Sequence, residues 1–357
     1  MRIKLFIFLI LFASQVFAQE GKLIFALDIV RHGDRTPLID IPKAPHTWAE
    51  GMGQLTAQGM QQEYQVGVNL RKRYMQEENL LPAHYSGQVM YARSTDVDRT
   101  LMSAESILLG LYPLGSGPKL PESKKPALPG AYQPIPIHTV PRALDEEFIP
   151  DVDQKKMMQL LTKYVFPRND WQEKDKELQP NYAHWSEVTG IPIKTLYDIG
   201  LLSDTLYINQ IYNVPLPVGM TEEDAKKIID SGKWAFATSF KPVEIGVATG
   251  SLLLEHITTY LSDASTQKSN LKFVLFTAHD TTILTLMSVL NAPLEQAPPY
   301  SSNVNFSLYE MNPGSYQVRV TYNGQPVTIP HCGGTVCTLE QFMTLSKQTP
   351  EVTRAFV

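Results

Sequence analysis

The chain has 357 residues, with 36 acidic against 31 basic side chains and 43% hydrophobic content. A negative balance gives no general attraction for nucleic acid or anionic membrane, so any anion must be held in a local basic pocket. The length exceeds one compact core and predicts one large domain with a substantial insertion, or two domains.

Residues 1–18 read as a signal peptide. Arg2 and Lys4 supply a positive start, an apolar run follows, and Val16-Phe17-Ala18 makes a small-residue cleavage site before Gln19. The apolar run is shorter than the roughly 20 residues that a spanning helix needs. No later segment is long and apolar enough to span a bilayer, and no Cys follows the cleavage site to carry a lipid. The expectation is an exported protein, periplasmic or secreted, with no membrane anchor. Its 29 basic and 36 acidic residues leave a net charge of about −7.

Residues 22–30 form a nearly continuous apolar and β-branched run, too short for a confident helix, and predict a buried strand. Residues 42–53 are loop. Over 55–78 the pattern turns helical, with Thr56 as cap, Met60, Tyr64, Val68 and Tyr74 near one stripe, and Arg71-Lys72-Arg73 towards the C-terminal end. Residues 88–92 predict a second strand. Ser94, Thr95 and Asp96 offer caps for a helix to about residue 109, with Val97, Leu101, Ala104 and Leu108 inward. Residues 113–141 are dense in Pro and Gly and read as a long surface connection.

Residues 144–241 are more polar and helix-like and are expected to form an inserted helical subdomain. It would separate the first part of an α/β domain (19–143) from the second (242–357). Residues 245–261 predict a further helix, 271–277 a strand, and Asp280 opens a helix to about 290. Residues 303–309 and 317–322 alternate as an antiparallel hairpin joined through Asn312-Pro313-Gly314. The only cysteines, Cys332 and Cys337, make a poor metal site even with His331 and are expected to close a local disulfide.

Strand followed by helix, repeated, predicts an α/β fold: a central, mainly parallel sheet flanked by helices, with a smaller helical insertion. Ligands gather at the carboxyl ends of such strands. Three polar motifs fall there: Arg31-His32-Gly33-Asp34-Arg35, Arg93-Ser94-Thr95-Asp96 and His279-Asp280. This set suits a phosphate monoester. His32 would attack phosphorus, Arg31, Arg35 and Arg93 would hold its oxygens, His279, if protonated, would add a fourth cationic donor, and Asp280 would protonate the leaving group. Arg99 competes with Arg93 for the third guanidinium, but is expected to pair with an acidic neighbour. His138 is expected in an edge segment, and His46, His84, His184, His256 and His331 as structural or surface groups. The tryptophans are expected mostly in the core, with one lining a pocket for aromatic phosphomonoesters as the alternative.

Arg31-His32-Gly33-Asp34-Arg35-Thr36-Pro37 together with His279-Asp280 resembles the signature of the histidine acid phosphatases, the branch of the histidine phosphatase superfamily that includes phytases. It is most similar to the prostatic and lysosomal type. Gly51-Met52-Gly53-Gln54-Leu55-Thr56, the stretch Tyr91-Ala92-Arg93-Ser94-Thr95-Asp96-Val97-Asp98-Arg99-Thr100, Pro134-Ile135-Pro136-Ile137-His138-Thr139-Val140-Pro141 and Ala278-His279-Asp280-Thr281-Thr282 echo that type. The likeness runs over nearly the whole mature chain. It implies His32 as nucleophile, Asp280 as proton donor, and Arg31, Arg35, Arg93 and His279 as phosphate binders. It further implies an acidic optimum, inhibition by tartrate, no metal or other cofactor, and a homodimer.

Its substrates would be small phosphomonoesters, with phosphopeptides and lipid phosphates as the wider class. Thr281-Thr282 departs from the Thr-Asn that phytase-like members usually carry after His-Asp, which disfavours inositol hexakisphosphate. A phytase, a sugar-phosphate phosphatase and a non-catalytic phosphate-binding surface protein remain the alternatives.

Overall fold

The computed structural model describes residues 21–151 and 153–347, so the signal peptide expected over 1–18 lies outside the described residues. The central strand, β1 (Lys22–Arg31), is buried on both faces from Phe25 onward. This is why its sequence reads as an unbroken apolar run rather than an alternation. The other strands are β2 (Met90–Ser94), β3 (Phe273–Ala278), β4 (Asn303–Asn312), β5 (Ser315–Tyr322), β6 (Gln325–Pro326) and β7 (Val336–Thr338). They form one sheet in the order β2-β3-β1-β4-β5-β6, with β7 paired to β5. β1, β3 and β2 run parallel, and β4 lies antiparallel on the other side of β1.

The register matters most for function. Arg31 pairs with Ala278 and Ser94 with Thr277, so the three parallel strands stop at one edge. His32, Thr95 and His279 are each the residue after a strand end. β2 runs two residues past the expected 88–92 window. Its partner β3 continues beside it, and backbone pairing carries the strand through polar Arg93 and Ser94.

Ten α-helices are described. α1 (Ala57–Arg71), continued by a π-helical segment over Lys72–Glu77, and α2 (Asp98–Leu111) cover one face of the sheet. Five more, α3 (Gln154–Tyr164), α4 (Asn169–Leu178), α5 (Tyr182–Thr189), α6 (Ile199–Ile211) and α7 (Glu222–Thr238), stand between β2 and β3 in the chain. α8 (Val243–Ser265) and α9 (Asp280–Val289) cover the second face, and α10 (Leu339–Lys347) packs there near β7. The five intervening helices close their own apolar cluster around Trp171, Trp185, Leu202 and Ile228, which meets Ile245 of α8 and Leu284 of α9. No helix among the described residues is long and apolar enough to cross a membrane.

Two local expectations are corrected. Thr56 does cap α1, accepting from Gly59 N at 3.1 Å. The inward stripe, however, is Gly59, Glu63, Gly67 and Leu70, leading on to Tyr74, while Met60 and Tyr64 are exposed. The reason is backbone contact between helices: a Cβ on Gly67 would stand 2.9 Å from Gly110 Cα in α2 and closer still to the Ile107 carbonyl. α2 begins after Val97, without side-chain capping by Ser94, Thr95 or Asp96. The Thr95 hydroxyl is spent on Thr100 and His279 instead. The Cys332–Cys337 disulfide is closed beside β7.

Candidate active site

The turn after β1 is held from both sides. Gly33 N donates to Ser103 Oγ of α2 (3.2 Å), and Asp34 N donates to Gln62 Oε1 of α1 (2.8 Å). A Cβ on Gly33 would lie 2.5 Å from the Gly59 carbonyl oxygen, so only glycine permits this approach. His32 is 2% exposed, and its Nδ1 lies 2.8 Å from the Gly33 carbonyl oxygen. A carbonyl only accepts, so Nδ1 carries the proton and Nε2 keeps a lone pair. Burial, then Arg99, Arg31, Arg35 and His279, push the imidazole well below its ordinary value. It is therefore neutral in mild acid.

Around His32 stand three guanidiniums. Arg31 bridges to Asp280 Oδ2 at 2.7 Å, donates to the Pro298 carbonyl at 2.5 Å and lies 4.4 Å over the Tyr300 ring. Arg35 is gripped at 2.9 and 3.0 Å by both carboxylate oxygens of Asp204, which α6 brings in from the helical stretch. Arg99, in the first turn of α2, reaches the site, with Nη2 3.3 Å from His279 Nδ1. Burial and the Arg35 charge push Arg99 down to about 10. The Nε atoms of Arg31, Arg35 and Arg99 are buried without a hydrogen-bond partner among the described residues. Unsatisfied buried donors of this kind suit an anion that supplies oxygens to them.

His279 stands edge-on to His32, with ring centroids 5.6 Å apart. Its Nε2 is 3.0 Å from Thr95 Oγ1. Arginine only donates, so Nδ1 accepts from Arg99 and Nε2–H donates to Thr95. Burial and Arg99 push His279 down to about 3, so in this state it is neutral. Asp280 opens α9, and its Oδ1 accepts from Thr281 N at 2.8 Å. Burial pushes its carboxyl up, but the Arg31 and Arg35 charges outweigh burial and hold it below its ordinary value.

Arg31, His32, Arg35, His279 and Asp280 thus meet in one place, and Arg93 does not join them. Its guanidinium is bound by Asp145 at 2.7 Å and by Glu147, and lies 4.1 Å over the Phe148 ring. The third guanidinium is Arg99, for which no carboxylate lies in ion-pair range among the described residues. Strand parity explains the exchange. Arg93 is inside β2, opposite Phe276 and short of the strand end, whereas the first turn of α2 doubles back over the sheet edge.

Sequence reading also missed Asp204, Tyr300 and Glu63. The last is fully buried on α1, where its Oε1 accepts from Ser301 Oγ at 2.7 Å. His138 bridges to Arg93 beside the edge strand and stacks on Tyr91. Trp171 and Trp185 are core, and Trp48 stands edge-on to Tyr212, whose hydroxyl donates to Asp34.

A buried polar cluster at the carboxyl edge of a parallel sheet, built from a neutral histidine among three arginines, defines a phosphoryl-handling α/β protein. Residues 22–195 and 241–323 match the family model of the histidine phosphatase superfamily (branch 2), so the chain belongs to that superfamily, in its acid phosphatase and phytase branch. It is accordingly a hydrolase of phosphate esters. It is 31% identical to human prostatic acid phosphatase over 355 residues, covering 95% of this chain and 89% of that protein. Against bovine lysosomal acid phosphatase it is 30% identical over 345 residues, covering 92% and 78%. Among solved structures it resembles the phytase of Klebsiella sp ASR1, with a TM-score of 0.66 at 16% identity, covering 94% and 98% of the two chains. That likeness concerns the fold. Asp204 and Tyr212 fall in the 196–240 interval that the family model does not match.

Proposed function

We propose that this is an exported acid phosphatase that hydrolyses phosphate monoesters through a phosphohistidine on His32. The observation that carries the reading is the His32 imidazole, neutral, tethered by Nδ1 to the Gly33 carbonyl and surrounded by Arg31, Arg35 and Arg99. Its Nε2 attacks phosphorus in line as the ester P–O bond breaks, and the arginines offset the charge on the non-bridging oxygens. Asp280 gives its proton to the departing alkoxide. Water then attacks the phosphohistidine, returns a proton to Asp280 and releases orthophosphate and free His32.

Asp280 is ionised in the free site, because Arg31 and Arg35 hold it so. The proton needed for the leaving group therefore arrives with the substrate. A phosphate monoester carries one below its second pKa of about 6, and the dianion formed on its transfer neutralises the arginines that had kept Asp280 charged. Acidic conditions supply that substrate form. In this reading residues 144–241 are an inserted subdomain that walls the pocket, and small phosphomonoesters are the substrates. Export to the periplasm or beyond rests on the signal-like residues 1–18.

The test is hydrolysis of p-nitrophenyl phosphate at mildly acidic pH with EDTA present, wild type beside His32→Ala. Activity that survives the chelator and vanishes in the variant is expected. Activity lost to EDTA, or unchanged in the variant, would overturn the mechanism. Phosphate binding without turnover would favour a binding protein.

A further inference from the structure

Arg93 is a partly buried cation that the mechanism above does not use, yet two carboxylates, Asp145 and Glu147, hold it, where each arginine of the pocket has at most one. We propose that Arg93 is a positioning residue: by fixing the 145–148 segment it holds the Phe148 carbonyl against Thr282, and through Thr282 it sets the turn that presents His279 and Asp280. The inference rests on the catalytic reading just given and extends it to a residue outside the pocket.

Every link is present. Arg93 Nη2 donates to Asp145 Oδ1 at 2.7 Å and Nη1 donates to Glu147, whose other oxygen is braced by His256 Nδ1 at 2.7 Å. Asp145 Oδ1 also accepts from Phe148 N at 3.3 Å, so one carboxylate joins the guanidinium to the Phe148 backbone. The Phe148 ring lies under the guanidinium at 4.1 Å and against Phe276 of β3 at 4.8 Å, fully buried. The Phe148 carbonyl accepts from the Thr282 hydroxyl at 2.5 Å, and Thr282 Oγ1 in turn accepts from His279 N at 3.2 Å. A hydroxyl has one proton to give. With it committed to Phe148, the Thr282 lone pairs point back at the His279 amide and fix where α9 starts.

Asp280 is the first residue of that helix. Displacing a reacting group by about 1 Å can cost on the order of 100-fold in rate. The clamp therefore acts on the proton donor, and touches phosphate affinity only through the His279 ring.

The experiment compares wild type, Arg93→Ala, Thr282→Val, Thr282→Ser, the Arg93→Ala/Thr282→Val double variant and Asp280→Asn. Each is assayed with p-nitrophenyl phosphate and with glycerol 2-phosphate, whose alkoxide leaves poorly, and with orthophosphate as inhibitor. Arg93→Ala and Thr282→Val should lower kcat on the glycerol ester about tenfold more than on the nitrophenyl ester, since a general acid is worth about 10²–10⁴. The orthophosphate inhibition constant should stay within about twofold, Thr282→Ser should restore kcat, and the double variant should be no worse than the poorer single one, as expected of one coupled unit.

A tenfold rise in the orthophosphate constant in Arg93→Ala, with equal losses on both esters, would make Arg93 a phosphate ligand and overturn the proposal. Wild-type behaviour of Thr282→Val would do so as well. Arg93→Ala takes the arginine charge from two buried carboxylates, leaving Glu147 with His256 and Asp145 with the Phe148 amide; if it does not fold, the Thr282 pair decides. Should Asp280→Asn itself show no leaving-group dependence, the acid assignment fails, and the relay is judged by the coupling of Arg93 and Thr282 in kcat alone.

Discussion

Replacing Glu63 by Gln should make the protein more stable at neutral pH than at acid pH, relative to wild type. Glu63 is fully buried on α1; Oε1 takes the Ser301 hydroxyl and Oε2 has no partner among the described residues. Burial pushes its carboxyl up from 4.5 to about 8. Between those two values the folded protein holds a proton that the unfolded chain has released. The stability that the protonated side chain contributes is thus complete below 4.5 and is lost as pH rises through 8.

The slope for one proton is about −1.4 kcal/mol per pH unit, so the whole span amounts to roughly 4–5 kcal/mol. Gln keeps the acceptor for Ser301 and cannot ionise; its extra N–H groups cost the same at every pH. Urea unfolding of both proteins from pH 4 to 9 gives the difference directly, and subtraction cancels the other titrating groups. Below about 4.5 the difference should be constant, then move in favour of Glu63→Gln by about 1.4 kcal/mol per pH unit until about 8. A difference that stays flat across the range would mean that Glu63 ionises as an ordinary surface carboxylate, and the burial argument would fail.

Asp204→Asn removes the countercharge that grips Arg35, so orthophosphate should inhibit at severalfold lower concentration; weaker inhibition would mean that Asp204 serves to aim the guanidinium. Gly67→Ala should destabilise by about 1–3 kcal/mol in urea, because the added methyl meets backbone of α2. Stabilisation would show that helix propensity outweighs the contact. Arg99→Ala should raise the orthophosphate inhibition constant at least tenfold in steady-state assays, and an unchanged constant would remove the third guanidinium from the phosphate site.

What the sequence revealed depended on how local each signal was. β1 and β3 were legible because a strand buried on both faces has no polar alternation, and their motifs follow at the next residue. The hairpin of β4 and β5 was legible because Pro313-Gly314 needs only the residues beside it. α1 misled, since its inner face is chosen by how closely two backbones can approach, and glycine carries no weight in a hydrophobic pattern. The exchange of Arg93 for Arg99 has a readable cue in hindsight. A strand that pairs through Ser94 puts Arg93 inside the sheet, and a helix that starts at Asp98 puts Arg99 in its first turn. Asp204, Tyr300 and Glu63 had no local cue, because the contact each makes, with Arg35, Arg31 and Ser301, joins segments far apart in the chain.

The charges of the site follow one logic. Three arginines and two histidines are gathered where burial penalises every one of them, and the chain reduces that cost in two different ways. Both histidines are neutral, each with one ring nitrogen turned into a fixed acceptor or donor role by a partner that can play only the other. Arginine cannot neutralise itself, so Arg31 and Arg35 borrow the carboxylates of Asp280 and Asp204 instead. Among the described residues Arg99 has no carboxylate in ion-pair range and turns to a histidine lone pair, and all three keep a buried Nε–H without a partner. Under the proposed function a phosphate dianion would answer each deficit at once: it would supply oxygens to the idle donors and charge to the arginines, and free Asp280 to hold a proton. In the proposed mechanism, binding of the phosphoryl group and arming of the acid would therefore be the same event, with Asp280 ready to protonate a leaving group only when a phosphate is present to lose one.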